Sequence, residues 1–256
     1  MKISIITVCY NAQMYIEKTI QSVLDQTYPE IEYIIVDGAS TDNTLAIVNK
    51  YKEKISKIIS EKDDGMYYAM NKGIAESSGD ILYFLNSDDQ LYDHDVIQNV
   101  VTLFGENSNV EMVRGNIKFI NIPDGEHVIV NDHRFAQLKT RRDLFTKLNF
   151  SHQGIFAKRS VFNKVGGFNL AYKLGADFDW FLRCYKAPIQ IKYADIFIAF
   201  YNAQGLSQIK KMESLIERVK VVYKNSSLFE FFFYYLPYRS LAAIKYSLQN
   251  MIRKKG

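Results

Sequence analysis

The sequence predicts an α/β protein with a mostly parallel sheet, antiparallel additions and helices at its C-terminal end. Three observations carry that prediction. Apolar runs over 2–9, 32–37, 57–60 and 80–85 alternate with helical patterns at the spacing of right-handed βαβ units. The runs are continuous rather than alternating, as in strands covered on both faces. At 256 residues, 48% hydrophobic and 23% charged, the chain can bury one large core.

Each element has a local cause. The first run ends at Asn11-Ala12, and Met14, Ile16, Ile20, Val23 and Leu24 then share one face of a helix over 14–25. Tyr28-Pro29 stops it. Thr41-Asp42 caps a helix through residue 51, and another helix covers 66–76 until Ser78-Gly79. In the second half, strands over 111–120 and 126–132 flank Pro123-Asp124-Gly125, a hairpin signal. Strands follow over 153–157 and 189–201, with a short helix over 178–185 between them. One domain therefore spans 1–207. Helices over 210–224 and 228–252 lie outside it, in an extension covering 208–256.

Composition removes several function classes. The net charge of +4 divides into −3 over residues 1–207 and +7 over 208–256. An acidic body with a basic tail is unlike a nucleic-acid binder, whose positive charge lines its working face. Cys9 and Cys184 lie in apolar segments without metal-ligand spacing, which predicts reduced, buried thiols and a cytoplasmic protein. No leader pattern opens the chain and no apolar run approaches the roughly 20 residues of a spanning helix. Phe229, Phe231, Phe232 and Phe233, with Arg253-Lys254-Lys255 beyond them, suit a headgroup boundary. Residues 226–256 are accordingly expected to touch the inner face of the cytoplasmic membrane, with packing on the domain or on a second copy as the other reading.

Ligands of an open parallel sheet bind beyond the carboxyl ends of its strands. Tyr10-Asn11 follows the first strand, Asp37 closes the second, Asp63-Asp64 lies past the third, and Asn86-Ser87-Asp88-Asp89 closes the fourth. Adjacent carboxylates repel, and a hard divalent cation, Mg²⁺ or Mn²⁺, relieves them when phosphate oxygens complete its shell. A solvated cap on the next helix is the competing reading of Asp88 and Asp89. No P-loop, G-x-G-x-x-G, G-x-S-x-G or H-E-x-x-H is present. Of the four histidines, His152, just before a strand, is the one placed near a site.

These segments carry a family resemblance. Residues 4–11, Ser-Ile-Ile-Thr-Val-Cys-Tyr-Asn, and 34–42, Ile-Ile-Val-Asp-Gly-Ala-Ser-Thr-Asp, resemble glycosyltransferase family 2, of the GT-A fold. So do 64–73, Asp-Gly-Met-Tyr-Tyr-Ala-Met-Asn-Lys-Gly, then Leu85–Asp89, His152-Gln153, Gly166-Gly167-Phe168 and 176–183. The resemblance covers about 2–207. It implies that Asp37 and Asp64 contact the nucleoside, with Thr7, Val8, Tyr10, Asn11, Asn71 and Ser87 lining the nucleotide-sugar pocket. Asp88, with Asp89, would hold Mn²⁺ or Mg²⁺ against the diphosphate. Asp177 matches the general base, with Asp179 as its competitor, and His152, Gln153, Asp179 and Trp180 fall on the acceptor side. Asn86 stands where the longer acidic pattern starts with Asp, and Ala176 where Glu usually precedes the base.

The implied activity is inverting transfer from a nucleotide-sugar, a UDP-sugar by preference, to a glycan or lipid-linked acceptor in surface polysaccharide or glycolipid assembly. A nucleotidyltransferase and a non-catalytic sugar-nucleotide-binding protein are the alternatives. The first needs a basic, Gly-rich loop after the first strand, and Tyr10-Asn11-Ala12-Gln13 is not one.

Overall fold

The computed structural model describes residues 1–121, 128–133, 151–202 and 210–238, with Asp143 and Phe145. The turn at 123–125, His127, the Gly205 segment and everything past Tyr238 lie outside the described residues.

The first half is β1 (Ile3–Cys9), α1 (Ile16–Leu24), β2 (Ile31–Asp37), α2 (Thr44–Asn49), β3 (Lys57–Ser60), α3 (Met66–Glu76) and β4 (Ile81–Asn86). The two-residue β5 (Gln90–Leu91) and α4 (Val96–Glu106) follow. The second half contains β6 (Met112–Asn121), β7 (Val128–His133), β8 (Ile155–Lys158), α5 (Arg159–Val165), α6 (Ala176–Lys186), β9 (Ile191–Asn202) and α7 (Lys211–Asn225). The sheet runs β3-β2-β1-β4-β8-β6-β9-β5, with β7 paired to β6. β1, β2, β3 and β4 are parallel, whereas β8 is antiparallel to both β4 and β6.

Alternate residues of the inner strands feed two cores, which explains why their sequence is apolar throughout. Ile6, Val8, Ile34, Val36 and Phe84 face α3 and α6, while Ile5, Cys9, Tyr33, Tyr83 and Leu85 face α1 and α4. α3 presses close to β1: a Cβ on Gly73 would lie 2.4 Å from Ile6 Cγ2. At the start of α3, Gly65 sits at φ +129°, a conformation open to glycine.

Three expectations change in detail. α2 starts at Thr44, because Asp42 Oδ1 accepts the Thr44 N–H (2.9 Å) and hydroxyl (2.5 Å) and holds the preceding residues in a turn. Residues 152–154 form one 3-10 turn, and β8 begins only at Ile155. The aromatic tail starts with Leu228–Glu230, capped reciprocally by Ser227 and Glu230, and continues as a π-helical turn over Phe231–Tyr235.

α7 is packed into the body of the protein. Val221 and Val222 belong to the same core as Phe178 and Phe181 of α6. Glu217 accepts the backbone N–H groups of Lys173 (3.0 Å) and Leu174 (2.8 Å), and Asn225 donates to Asp179 (3.0 Å). Among the described residues, no helix is long and apolar enough to cross a membrane.

Candidate active site

Register brings the polar strand ends together. Val8 pairs with Asn86, Cys9 with Asp37, and Asp37 with Ser60. The strand order reverses between β1 and β4, so the switch point where open α/β sheets bind ligands lies at Asn86–Asp89. Because β8 runs against β4, the turn before it, His152–Gly154, arrives at this same edge, as does the end of β9 at Asn202.

The two adjacent aspartates have different surroundings. Asp89 is 1% exposed. Its Oδ2 accepts from Gln153 Nε2 (2.7 Å) and its Oδ1 from the Asn202 N–H (2.9 Å), with a further bond from the Asn86 side chain. Burial, and then the charge of Asp88, push its carboxyl well above the usual range. Asp88 is half-buried, and burial raises its carboxyl too, against partial relief from its own N–H and the charge of His152. Thr19 donates to the carbonyls of Ser87 (2.9 Å) and Asp89 (2.7 Å), fixing the turn that presents them. Among the described residues, no three His, Cys, Asp or Glu side chains converge as a metal cage.

Opposite this turn stands Asp177, in the first turn of α6. Its Oδ1 accepts from the Tyr67 hydroxyl (2.9 Å) and the Phe178 N–H (2.8 Å), and its Oδ2 meets His152 Nδ1 at 3.0 Å. Burial works to raise the Asp177 carboxyl, but His152, Tyr67 and the Phe178 N–H outweigh it and hold the group below the usual aspartate range. Tyr67 is pushed well above the ordinary tyrosine range, by burial first and Asp177 second, so it remains a donor.

At the ends of β1 and β2, Tyr10 is 64% exposed. Asn11 and Ala39 adopt left-handed backbone at φ 49° and 60°, and Asn11 Oδ1 accepts the Thr41 N–H at 2.9 Å, locking two strand-end loops together. Asp37 is enclosed, with bonds from the Ser40 N–H (3.0 Å), the Ser40 hydroxyl and the Ser60 hydroxyl (2.7 Å). Asp64 is exposed, whereas its neighbour Asp63 lies against Gly38, whose added Cβ would come within 3.2 Å of Oδ2.

Several expected contacts are redirected. The Thr7 side chain is buried and receives a bond from Tyr33 (3.2 Å), and Val8 is buried in the core, so neither presents a polar group to a pocket. Both ends of the Asn71 amide are spent on Phe168, at 2.8 and 2.9 Å. Gln153 braces Asp89, Asp179 is bound by Arg183 (2.9 Å) and Asn225, and Trp180 is stacked on Phe162 at 4.6 Å. These last three were expected at the acceptor, and their side chains are buried among these partners. Tyr67 and Asn86 make contacts to Asp177 and His152 that the motif reading had not given them.

The family model for glycosyl transferase family 2 matches residues 4–166. The chain belongs to this family. It is 32% identical over 206 residues to a PGL/p-HBAD biosynthesis glycosyltransferase of Mycobacterium bovis, covering 79% of this chain and 77% of that one. To glycosyltransferase AglE of Haloferax volcanii it is 27% identical, covering 82% and 70%. The fold matches S. aureus TarS 1-349 at a TM-score of 0.69 and 21% identity, over 88% of this chain but only 65% of TarS. A mannosyltransferase from Pyrobaculum calidifontis, in complex with GDP-Man and Mn2+, matches at 0.66 and 18% identity, with the same two shares of the chains covered. The protein is a glycosyltransferase with a GT-A fold.

Proposed function

We propose that this glycosyltransferase moves a sugar from a nucleotide-sugar, by preference a UDP-sugar, to a hydroxyl of a glycan or lipid-linked acceptor in surface polysaccharide or glycolipid assembly, with inversion at the anomeric carbon. The observation that carries it is Asp177, a carboxylate held ionised by three donors and linked through His152 to the edge that bears Asp88. Of its oxygens, Oδ1 has two partners and Oδ2 one, so Oδ2 has the lone pair to spare. There it takes the acceptor hydroxyl's proton as the acceptor oxygen bonds to the anomeric carbon. The bond from that carbon to the diphosphate oxygen breaks on the opposite face, and the diphosphate leaves with the electron pair.

A divalent cation fits Asp88, a half-buried carboxylate whose charge burial disfavours, and phosphate oxygens would supply the remaining ligands. Such an ion, Mn²⁺ or Mg²⁺, would be held by Asp88 and would supply charge neutralisation for the leaving diphosphate. Asp89 is assigned the brace that holds the turn. Tyr10 is assigned to stack on the base, and Asp37 to shape the loop 38–42 around it. Neighbours solved with UDP-GlcNAc or with GDP-Man and Mn2+ support a nucleotide-sugar donor.

The outer face of the C-terminal helices supports contact with an anionic lipid surface. Met212, Ile216 and Tyr223 form an exposed stripe on α7, and Phe229, Phe232 and Phe233 extend it. Residues 208–256 add a net charge of +7. Replacing the three exposed phenylalanines with serine, leaving buried Phe231 and Tyr235 intact, should abolish flotation with phosphatidylglycerol liposomes. Unchanged flotation would rule out this surface.

The test of the activity is a panel of UDP- and GDP-sugars, with and without Mn²⁺, scored by release of nucleotide in the presence of glycan and lipid-linked acceptors. Transfer that survives Asp177→Asn undiminished would eliminate the base assignment, and full activity in chelator would eliminate the metal.

A further inference from the structure

The His152 ring is 8% exposed and touches both halves of the site. Its Nδ1 lies 3.0 Å from Asp177 Oδ2, and its Nε2 lies 3.3 Å from Asn86 Oδ1. The orientation of Asn86 is not arbitrary, because its side chain also bonds the Asp89 carboxylate. Only the amide nitrogen can donate there, which leaves the carbonyl oxygen for the ring. Both ring nitrogens therefore face oxygen atoms, and the ring spans from the base to the turn carrying Asp88.

Topology explains why one side chain can do this. Antiparallel pairing of β8 with β4 brings residue 152 to the carboxyl end of β4. The next residue, Gln153, is anchored to Asp89, to the Tyr83 hydroxyl through its carbonyl (2.9 Å), and to Ser151. The ring thus projects from a turn that has little freedom to shift. Asp177 is steadied from its other side by Tyr67, on α3, so the ring is the direct side-chain link between the base and the donor turn.

We propose that His152 is a positioning residue with two separable arms: the Nδ1 arm aligns the base Asp177, and the Nε2 arm sets, through Asn86, the turn that receives the donor diphosphate. The first arm rests on the assignment of Asp177 as base; the second does not. A residue that merely filled space would not divide its effects between chemistry and donor binding.

The amide nitrogen of asparagine falls near the position of Nδ1, and that of glutamine near Nε2, so each can replace one arm. His152→Asn, His152→Gln and His152→Ala are compared with the unaltered protein. The probe is UDP or GDP, whichever the unaltered protein binds, titrated with Mn²⁺ in a calorimeter. Chemistry is read as kcat for nucleotide release from the sugar donor turned over fastest. His152→Asn should weaken nucleotide binding roughly three- to tenfold with kcat largely kept. His152→Gln should keep nucleotide affinity and lose on the order of 10- to 100-fold in kcat. His152→Ala should lose both.

Equal losses in the asparagine and glutamine variants, or none in either, would overturn the proposal. Asp177→Asn is measured in parallel to separate the two assignments. If it keeps full turnover while His152→Asn still binds nucleotide weakly, the base assignment fails and the donor arm stands. If His152→Asn binds nucleotide normally while Asp177→Asn is inactive, the base stands and the two-armed role fails. Where no donor is turned over, the nucleotide titration of the asparagine and glutamine variants decides: matching affinities overturn the donor arm.

Discussion

Replacing Tyr67 with phenylalanine removes one oxygen atom and little else. The ring packs against Phe168 with centroids 5.5 Å apart, and the Phe replacement keeps that contact. The lost hydroxyl is one of three donors to Asp177, at 2.9 Å. A hydrogen bond to a charged group contributes about 1.5–3 kcal/mol, equivalent to roughly 1–2 pKa units on the carboxyl. Asp177 is held below its usual range, so removing a donor raises it. The acidic limb of kcat/KM, which reports the free enzyme's base, should move upward by about one pH unit. Asp177 gives stability above the unfolded aspartate pKa of about 3.9, so at neutral pH the variant should also lose up to about 2 kcal/mol in urea unfolding. A pH–rate profile that superimposes on that of the unaltered protein would refute the chain of reasoning, since a donor at this distance cannot be removed without changing the affinity of the carboxyl for its proton.

The adjacent aspartates should separate stability from activity. Asp89→Asn sets an NH₂ against either Gln153 Nε2 or the Asn202 N–H and should lower the melting temperature, a loss of about 1–3 kcal/mol for an unmatched buried donor. Asp88→Asn removes a charge that burial disfavours, so it should leave the melting temperature unchanged or higher while abolishing Mn²⁺-dependent nucleotide binding. Glu32 is held at about 2 despite burial, by Ser4, Ser78 and Lys2. Its stabilisation, at most roughly 3 kcal/mol, is present above the unfolded pKa and lost as pH falls from about 4.5 toward 2, so Glu32→Gln should flatten the acid-unfolding curve in that window. Asp179→Asn should lower stability by weakening the bonds to Arg183 and Asn225, with the pH profile of turnover unmoved.

The parallel half of the molecule was legible because burial on both faces writes itself as an uninterrupted apolar run. β3 and α3 begin and end where the pattern placed them, at Lys57–Ser60 and Met66–Glu76. β5 was not legible: two residues carry no period, and their pairing with Phe200 and Ala199 is a long-range fact. α5 was missed because Arg159–Val165 is too short to show a helical stripe against the apolar strand before it. Within the site, strand ends could be gathered from topology alone. Neighbours of a site residue could not be trusted in the same way. Two positions along a helix are about 200° apart, so Asp179 points to α7 while Asp177 faces the crevice. Asn86 looked like a missing charge until its amide was seen oriented between His152 and Asp89. The Tyr67–Asp177 bond joins residues 110 positions apart, a distance at which sequence pattern carries no signal.

The bonds from Glu217 and Asn225 to the segment around α6 bear on how relatives can be recombined. The family match ends at residue 166, ahead of Asp177. A chimera joined there would pair one protein's α6 with its own α7 only if everything from 167 to 225 travelled together. Swapping the tail alone would leave Lys173, Leu174 and Asp179 facing a foreign helix. The exchangeable unit is therefore the whole stretch 167–225, and its seam lies on the near side of Gly166-Gly167.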